Sequence, residues 1–425
     1  MLVIAPHCDD EVLACAGLIQ RTIRTGGTVA TIVVTNGDGY PSAVARQQRV
    51  VHAQPTDFVH FAELRQTESE KALHSLGVTD SNVWFLGYPD GGMLTLWSKH
   101  WNHNLPYRSR FTMANHSPYS RTYSPSSNYC GADAAADIAQ AIRVFKPTLI
   151  VAAHPAEDHT DHATVGALAE LAWQMVETDP TCKSWISSTS IRHYVVHRGD
   201  WPMPQGLHRH LPLSPPAAMS NLDTDWSQLQ LTSSEESAKQ RAIALYQSQT
   251  AVMPAFMDAF VRTNELYGEI PTRVLPAVAD SETRANGTLK SWQKIVPVMM
   301  DPARDNVIRD LQGGADILAL SAATSGSRLH LLLHTRRPVH AGVTARIHVR
   351  CFDAHWRSSD VEYVCLVKPR GQSGGAQLEK SVTWHDLGQT SHPFAIALWA
   401  NTEVAGVEVD RTEIRTIPLH GVLKP

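Results

Sequence analysis

Two clusters of side chains in this chain have the types and spacing of a metal site. The first is His7-Cys8-Asp9-Asp10-Glu11, directly after the apolar run Leu2-Val3-Ile4-Ala5. The second is His154 with His159-Thr160-Asp161-His162, directly after the apolar residues 149–153 and at the head of a helical pattern. A hydrolytic zinc site needs three nitrogen or oxygen ligands and one position left open for water. His7, Asp10 and His162 would supply two imidazoles and a carboxylate. Asp9 would then stand beside the metal, free to take a proton from water. His159, one helical turn before His162, could face the same cavity and act on a developing oxyanion. Taken alone, the first cluster has a plainer explanation, because Asp9 or Asp10 could cap the helix that follows. A second cluster in an equivalent position argues against that.

The elements around the clusters alternate. Residues 12–23 have helical apolar spacing and stop at Gly26-Gly27; 28–35 read as a buried strand. A helix is predicted over 58–76, a strand over 82–86, a helix over 132–145, a strand over 148–153, a helix over 163–176 and a strand over 191–196. Such β-α-β units predict a Rossmann-like α/β fold, a mostly parallel sheet with helices on both faces. Ligands in such sheets bind beyond the carboxyl ends of the strands, where both clusters fall. Between 87 and 130 the periodicity disappears, and Trp97, Trp101, Tyr107, Phe111, Tyr119, Tyr123 and Tyr129 suggest an ordered lid or wall. Residues 235–249 and 251–267 read as two helices split near Pro254, with Asn264 and Glu265 as packing or capping residues.

After Gly268 the texture changes. Residues 269–290 read as a linker. Strands are predicted over 328–333, 345–349, 361–367, 394–399 and 404–409, separated by turn residues and without helices, which suggests an all-β, sandwich-like C-terminal domain over 291–425. Asp301, Asp305 and Asp316 could hold Ca2+, whose ligands are oxygens.

Composition narrows the function. The chain has 425 residues, 43% hydrophobic and 18% charged, with a formal net charge of −4. That is too apolar for disorder and too evenly charged for generic nucleic-acid binding. No apolar run approaches the roughly 18 residues of a membrane span. Six scattered cysteines form no disulfide framework and no C-x-x-C zinc pair. No charged segment with an apolar core precedes the first strand, so no signal peptide is expected. The expected compartment is the cytoplasm, with export expected instead if a signal segment lies upstream of this sequence. The turn after the first strand lacks G-x-G-x-x-G and is acidic where a pyrophosphate would sit, which excludes a dinucleotide-binding oxidoreductase.

The two clusters together resemble the PIG-L/LmbE-type family of zinc-dependent N-acetylglucosaminyl deacetylases. That family's first motif, P/A-H-P-D-D-E, stands here as Pro6-His7-Cys8-Asp9-Asp10-Glu11, with cysteine in place of proline. Its second, H-x-D-H, stands as His159-Thr160-Asp161-His162. Thr35-Asn36-Gly37, Arg65 and Glu68 before Leu76-Gly77-Val78, and Phe85-Leu86-Gly87-Tyr88-Pro89-Asp90-Gly91-Gly92 match further marks, so the resemblance covers roughly 1–268. It implies a deacetylase domain over 1–268, with Zn2+ held by His7, Asp10 and His162. It implies Asp9 as general base, His159 as the group that stabilises or protonates the tetrahedral intermediate, and Asp161 as a residue orienting an imidazole. Arg65, Asp90 and Asn36 become substrate-binding positions. The implied reaction removes an N-acetyl or other N-acyl group from an amino-sugar or glycan substrate and releases acetate.

Two other functions fit the same residues: hydrolysis of a bulkier amide, such as a thiol conjugate or an acyl-glycopeptide, and non-catalytic glycan binding. Retention of Asp9 and His159 disfavours the latter, since binding alone needs neither. His154 is expected as a loop residue near the rim. His197 either lines the pocket or is structural.

Overall fold

The computed structural model describes residues 1–199, 201–305, 313–340, 342–358, 363–366, 368–369 and 376–419. The chain forms two compact units: Met1–Pro216 with Thr224–Ile270, and Ala217–Asp223 with Pro271–Pro425.

The first unit runs β1 (Leu2–Ala5), α1 (Asp10–Arg24), β2 (Ala30–Thr35), α2 (Pro41–Gln48), α3 (Pro55–Ser75), β3 (Val83–Tyr88), α4 (Met93–Ser98), α5 (Gly131–Phe145), β4 (Leu149–Ala153), α6 (Thr160–Glu177), α7 (Lys183–Ile186), β5 (Ser190–Tyr194), β6 (Asp225–Gln230), α8 (Ser233–Ile243), α9 (Gln247–Thr250), α10 (Pro254–Asp258) and β7 (Asn264–Glu269). Its sheet has the order β3-β2-β1-β4-β5-β7-β6. The first five strands are parallel, and β7 and β6 are antiparallel additions at one edge. The α/β class predicted from the alternation is what the structure has. The strand order reverses at β1, which pairs with β2 on one side and with β4 on the other. β1 and β4 therefore bound the switch point of the sheet, where diverging connections leave a crevice. The two motif clusters follow these two strands. Every residue of β1 and β2 is buried, as a sheet covered on both faces requires.

One expectation fails here. Residues 251–267 are not one helix: a short helix ends at Asp258, and Asn264–Glu269 pairs with β6 from Gln230↔Asn264 to Asp225↔Glu269. The cause is tertiary: Glu265 is fully buried and accepts from Gly17 N (2.8 Å), Leu18 N (2.9 Å), Tyr267 Oη (2.9 Å) and Lys239 Nζ (2.9 Å). Asn264 is a strand residue whose side chain closes on Leu213 N (2.6 Å) and Leu213 O (3.0 Å). The aromatic segment 87–130 packs inward, with Trp97, Trp101, Tyr119 and Tyr129 buried.

The second unit holds β8 (Met299–Met300), β9 (Ile317–Ser325), β10 (Arg328–Thr335), β11 (Val343–Phe352), β12 (Tyr363–Leu366), β13 (Lys368–Pro369), β14 (Gln377–Thr383), β15 (Ala395–Val404), β16 (Val407–Arg411) and β17 (Arg415–Pro418). They form two antiparallel sheets, β13-β14-β10-β9-β8 and β12-β11-β15-β16, with β17 on β15. Leu320, Leu331, Leu333 and Leu378 from one sheet share an apolar core with Ile347, Val349, Ile396 and Leu398 from the other. Of the strand predicted over 361–367, residues 361, 362 and 367 lie outside the described residues. Asp316 is paired with Arg336 and accepts from Arg304 N, so a cation of the chain already faces it. All six cysteines are free. No helix among the described residues is long and apolar enough to cross a membrane.

Candidate active site

The turn after β1 is strained where the chemistry is expected. Asp9 has φ 128° and ψ −32°, a conformation costly for a residue with a Cβ. Its carbonyl accepts from Val12 N (3.0 Å) and Leu13 N (2.9 Å), starting α1, but its side chain makes no capping bond. The plain capping explanation therefore fails for Asp9. Glu11 holds the turn: its buried carboxylate accepts from Asp9 N (3.0 Å), from Tyr246 Oη (2.6 Å) and from Ser69 Oγ.

Three donor atoms converge in the crevice. Asp10 Oδ2 lies 3.1 Å from His162 Nε2 and 3.4 Å from His7 Nδ1, and the two nitrogens are 3.0 Å apart. Donors held about 2.0–2.2 Å from one cation, at angles between right-angled and tetrahedral, would be separated by roughly 2.8–3.6 Å. The triangle is that size, all three residues are buried, and Asp10 Oδ1 has no hydrogen-bond partner among the described residues. This donor set fits a dication of the zinc type. Burial opposes ionisation of Asp10, but His162 and His7 hold its carboxyl well below the ordinary range. Burial likewise opposes a charge on His162, yet Asp10 and Glu157 raise it to about 9. The field favours positive charge at this point, which a metal ion would supply in place of protons.

The far nitrogens of the imidazoles meet carboxylates, as metal-ligating histidines commonly do. His162 Nδ1 lies 3.3 Å from Glu157 Oε2, off the alignment of a hydrogen bond. Glu157 is anchored in turn by Val196 N (3.1 Å) and His197 N. His7 Nε2 lies 3.3 Å from Asp90 Oδ1 and 3.6 Å from Asp161 Oδ2. Asp161 accepts from Gly91 N (2.6 Å) and Met93 N (3.1 Å), and Asp90 from Gly39 N (2.5 Å). Asp161 and Asp90 thus tie the loop after β3 to His7.

The positions assigned to substrate divide. Arg65 is 4% exposed, and its guanidinium goes to Cys8 O, Gly37 O and Asp9 Oδ2 (3.2 Å). Both of its terminal nitrogens are engaged, Nη2 by the turn that carries Asp9 and Nη1 by Gly37 O. Gly37, at φ 66°, has to be glycine, because a Cβ there would sit 1.7 Å from Arg65 Nη1. Asn36 is fully buried, with its Oδ1 on Gln66 Nε2 (3.2 Å), so it too faces protein. Asp90 remains beside His7. Burial raises Asp9 to about 8, with Arg65 opposing and Asp10 and Glu11 adding to the rise. Cys8 is fully buried against Ala5, Val33 and Phe85, and burial pushes its thiol well above the ordinary range.

His159 caps α6, its Nδ1 accepting from Asp161 N at 3.3 Å. Its ring centroid lies 4.9 Å from that of His7 and 5.2 Å from that of His162. His197 completes a ring of four imidazoles, 4.7 Å from His162, 5.5 Å from His159 and stacked on Phe256 at 5.0 Å. Its place, three residues beyond the end of β5, was the available signal; its partners in the fold were not. Glu157 and Glu11 were missed as orienting residues. His154 is 1% exposed and locks its own turn through Ala156 N (3.1 Å) and Thr224 Oγ1 (3.0 Å), so it is no rim residue.

Fold and site together define an α/β protein with a two-histidine, one-aspartate centre at the switch point of its sheet. Residues 2–173 match the family model of PIG-L, GlcNAc-PI de-N-acetylase. No curated protein matches the chain. Among solved structures, a conserved protein from Thermus thermophilus is similar at 19% identity, covering 65% of this chain and 96% of its own, with a TM-score of 0.38. The 4-carboxy-2-hydroxymuconate hydratase from Pseudomonas putida is similar at 15% identity, with 61% and 81% covered and a TM-score of 0.38. The N,N'-diacetylchitobiose deacetylase from Pyrococcus horikoshii is similar at 18% identity, with 63% and 81% covered and a TM-score of 0.38.

Proposed function

We propose that the first unit is a Zn2+-dependent N-deacetylase acting on an amino-sugar substrate and releasing acetate. The observation that carries this reading is the triangle of His7 Nδ1, Asp10 Oδ2 and His162 Nε2, next in sequence to the buried Asp9 carboxylate, which feels the charges of Asp10 and His7. Zn2+ held there would supply a Lewis acid and a water of lowered pKa.

The residues of the chain do the rest. Arg65 holds Asp9 Oδ2 and leaves Oδ1 to take the proton of the attacking water. Because His159 Nδ1 accepts from Asp161 N, a neutral ring carries its proton on Nε2. That N–H is the donor for the oxygen of the tetrahedral intermediate, a hydrogen bond worth roughly 10²–10³ in rate where it has been removed in other enzymes. Asp9 passes the proton it took to the amine nitrogen as the C–N bond breaks, so the sugar leaves as an amine and the acyl group as acetate. Asp161 and Asp90 orient His7, and Glu157 orients His162.

The reading is tested by acetate release from N-acetylglucosamine, N,N'-diacetylchitobiose and an N-acetylated glycopeptide, with chelated and zinc-restored protein. Acetate release from at least one substrate, lost on chelation and regained with zinc, is the expected result. Full activity after chelation, or no acetate from any of the three with zinc bound, overturns it.

A further inference from the structure

In the second unit, residues 275–298 cross the outer face of the sheet formed by β9, β10 and β14. Both ends are stitched to β9: Val278 N donates to Thr324 O (2.7 Å), and Val298 N to Leu320 O (2.8 Å). Between them, Leu289 N and Trp292 Nε1 both donate to Glu379 Oε1 on β14, each at 2.9 Å. Leu289 and Trp292 cover Ala323 and Leu332 on that face.

Where this apolar cover stops, the same face turns polar. The register places Ser321 opposite Leu332, and His334 opposite Gln377. These residues line a cavity of about 520 Å3 whose other wall includes Lys290, Trp292 and Gln293. That is within the roughly 300–1,000 Å3 of small-molecule sites. Ser321 is 2% exposed, and its hydroxyl has no partner among the described residues; nor has the half-buried ring of His334. His330, four residues earlier on the same strand face, shows what a structural histidine looks like here. Its two nitrogens lie 2.7 Å from Ser325 Oγ and 2.7 Å from Ser381 Oγ. Neither group is engaged by a protein partner among the described residues, so both face the cavity and are open to whatever fills it.

The wall's chemistry restricts that occupant. Among the described residues, no carboxylate lines the cavity and Lys290 is its one lining cation. Burial lowers His334, keeping its ring neutral, with one donor and one acceptor. The serine hydroxyl and the carboxamides of Gln293 and Gln377 also both donate and accept. A hydroxyl of a sugar does the same, and a ring carrying several of them can meet several of these groups at once. We infer that this cavity is a carbohydrate-binding site of the second unit.

The test is calorimetric titration of the whole chain with glucose, N-acetylglucosamine and N,N'-diacetylchitobiose. At least one should bind saturably. Ser321→Ala and Gln377→Ala should each weaken it about tenfold, the effect of one lost hydrogen bond. Asp10→Ala should leave this binding unchanged. Gln377 is exposed, so its variant keeps the test informative if Ser321→Ala does not fold. The inference is overturned if no probe binds at up to about 10 mM. It is equally overturned if the binding survives both cavity variants, whether or not it disappears with Asp10→Ala.

Discussion

Arg65 Nη2 lies 3.2 Å from Asp9 Oδ2, and the same guanidinium is bound to the carbonyls of Cys8 and Gly37. One side chain thus fixes both the strained turn after β1 and the carboxylate that the turn presents. A planar fork does this; an ammonium does not. Arg65→Lys should keep the charge and lose the geometry. Its kcat is expected to fall about 10²-fold, as misplaced catalytic groups do, with the metal content of the wild type. Steady-state kinetics beside elemental analysis check this; an unchanged kcat would remove Arg65 from the account.

Glu157 faces the far nitrogen of His162 at 3.3 Å. Such partners set the tautomer and basicity of the ligand, and their loss typically costs 10–100-fold in metal affinity. Glu157→Gln should weaken zinc binding by that factor in a competition titration with a chelating dye. At saturating zinc, most of the activity should return.

Lys239 and Glu265 form a fully buried ion pair at 2.9 Å. Removing one partner leaves an uncompensated charge and costs about 3–5 kcal/mol. Lys239→Met should lower the melting temperature of the first unit by roughly 10 °C. The double variant with Glu265→Gln should recover part of the loss, which differential scanning calorimetry would read.

His330 in the second unit is pushed down to about 4 from an ordinary 6.5, chiefly by burial, with Arg328 adding and Asp280 opposing. Above pH 6.5 the ring is neutral whether folded or unfolded. Between pH 6.5 and 4 the unfolded chain binds a proton that the folded one refuses. The stability of this unit therefore falls as pH drops through that window, by at most about 3 kcal/mol. Melting curves from pH 7 to 4 should show the decline, and His330→Gln should flatten it.

The sequence was most legible where its information is local. A buried run, a turn and an amphipathic helix fall within a few residues of each other at both β1–α1 and β4–α6, so the strand ends and the residues His7, Asp10, His159 and His162 could be placed together. The supporting groups were not legible, because their partners are remote. Glu11 meets Tyr246, 235 residues away, and Glu157 meets the backbone of Val196, 39 away. Arg65 and Asn36 carried a motif but not the direction their side chains face. β7 was misread as helix because apolar spacing near 251–267 fits a helix; pairing with β6 and the buried pair at Glu265 outweigh it.

The central claim is that Asp9 is the base beside a metal held by His7, Asp10 and His162. It is tested most directly by acetate release from Asp9→Asn protein whose zinc content has been measured and equals that of the wild type. The expected rate is about 10²–10⁴-fold below wild type with the metal fully bound. A wild-type rate from zinc-loaded Asp9→Asn would contradict it.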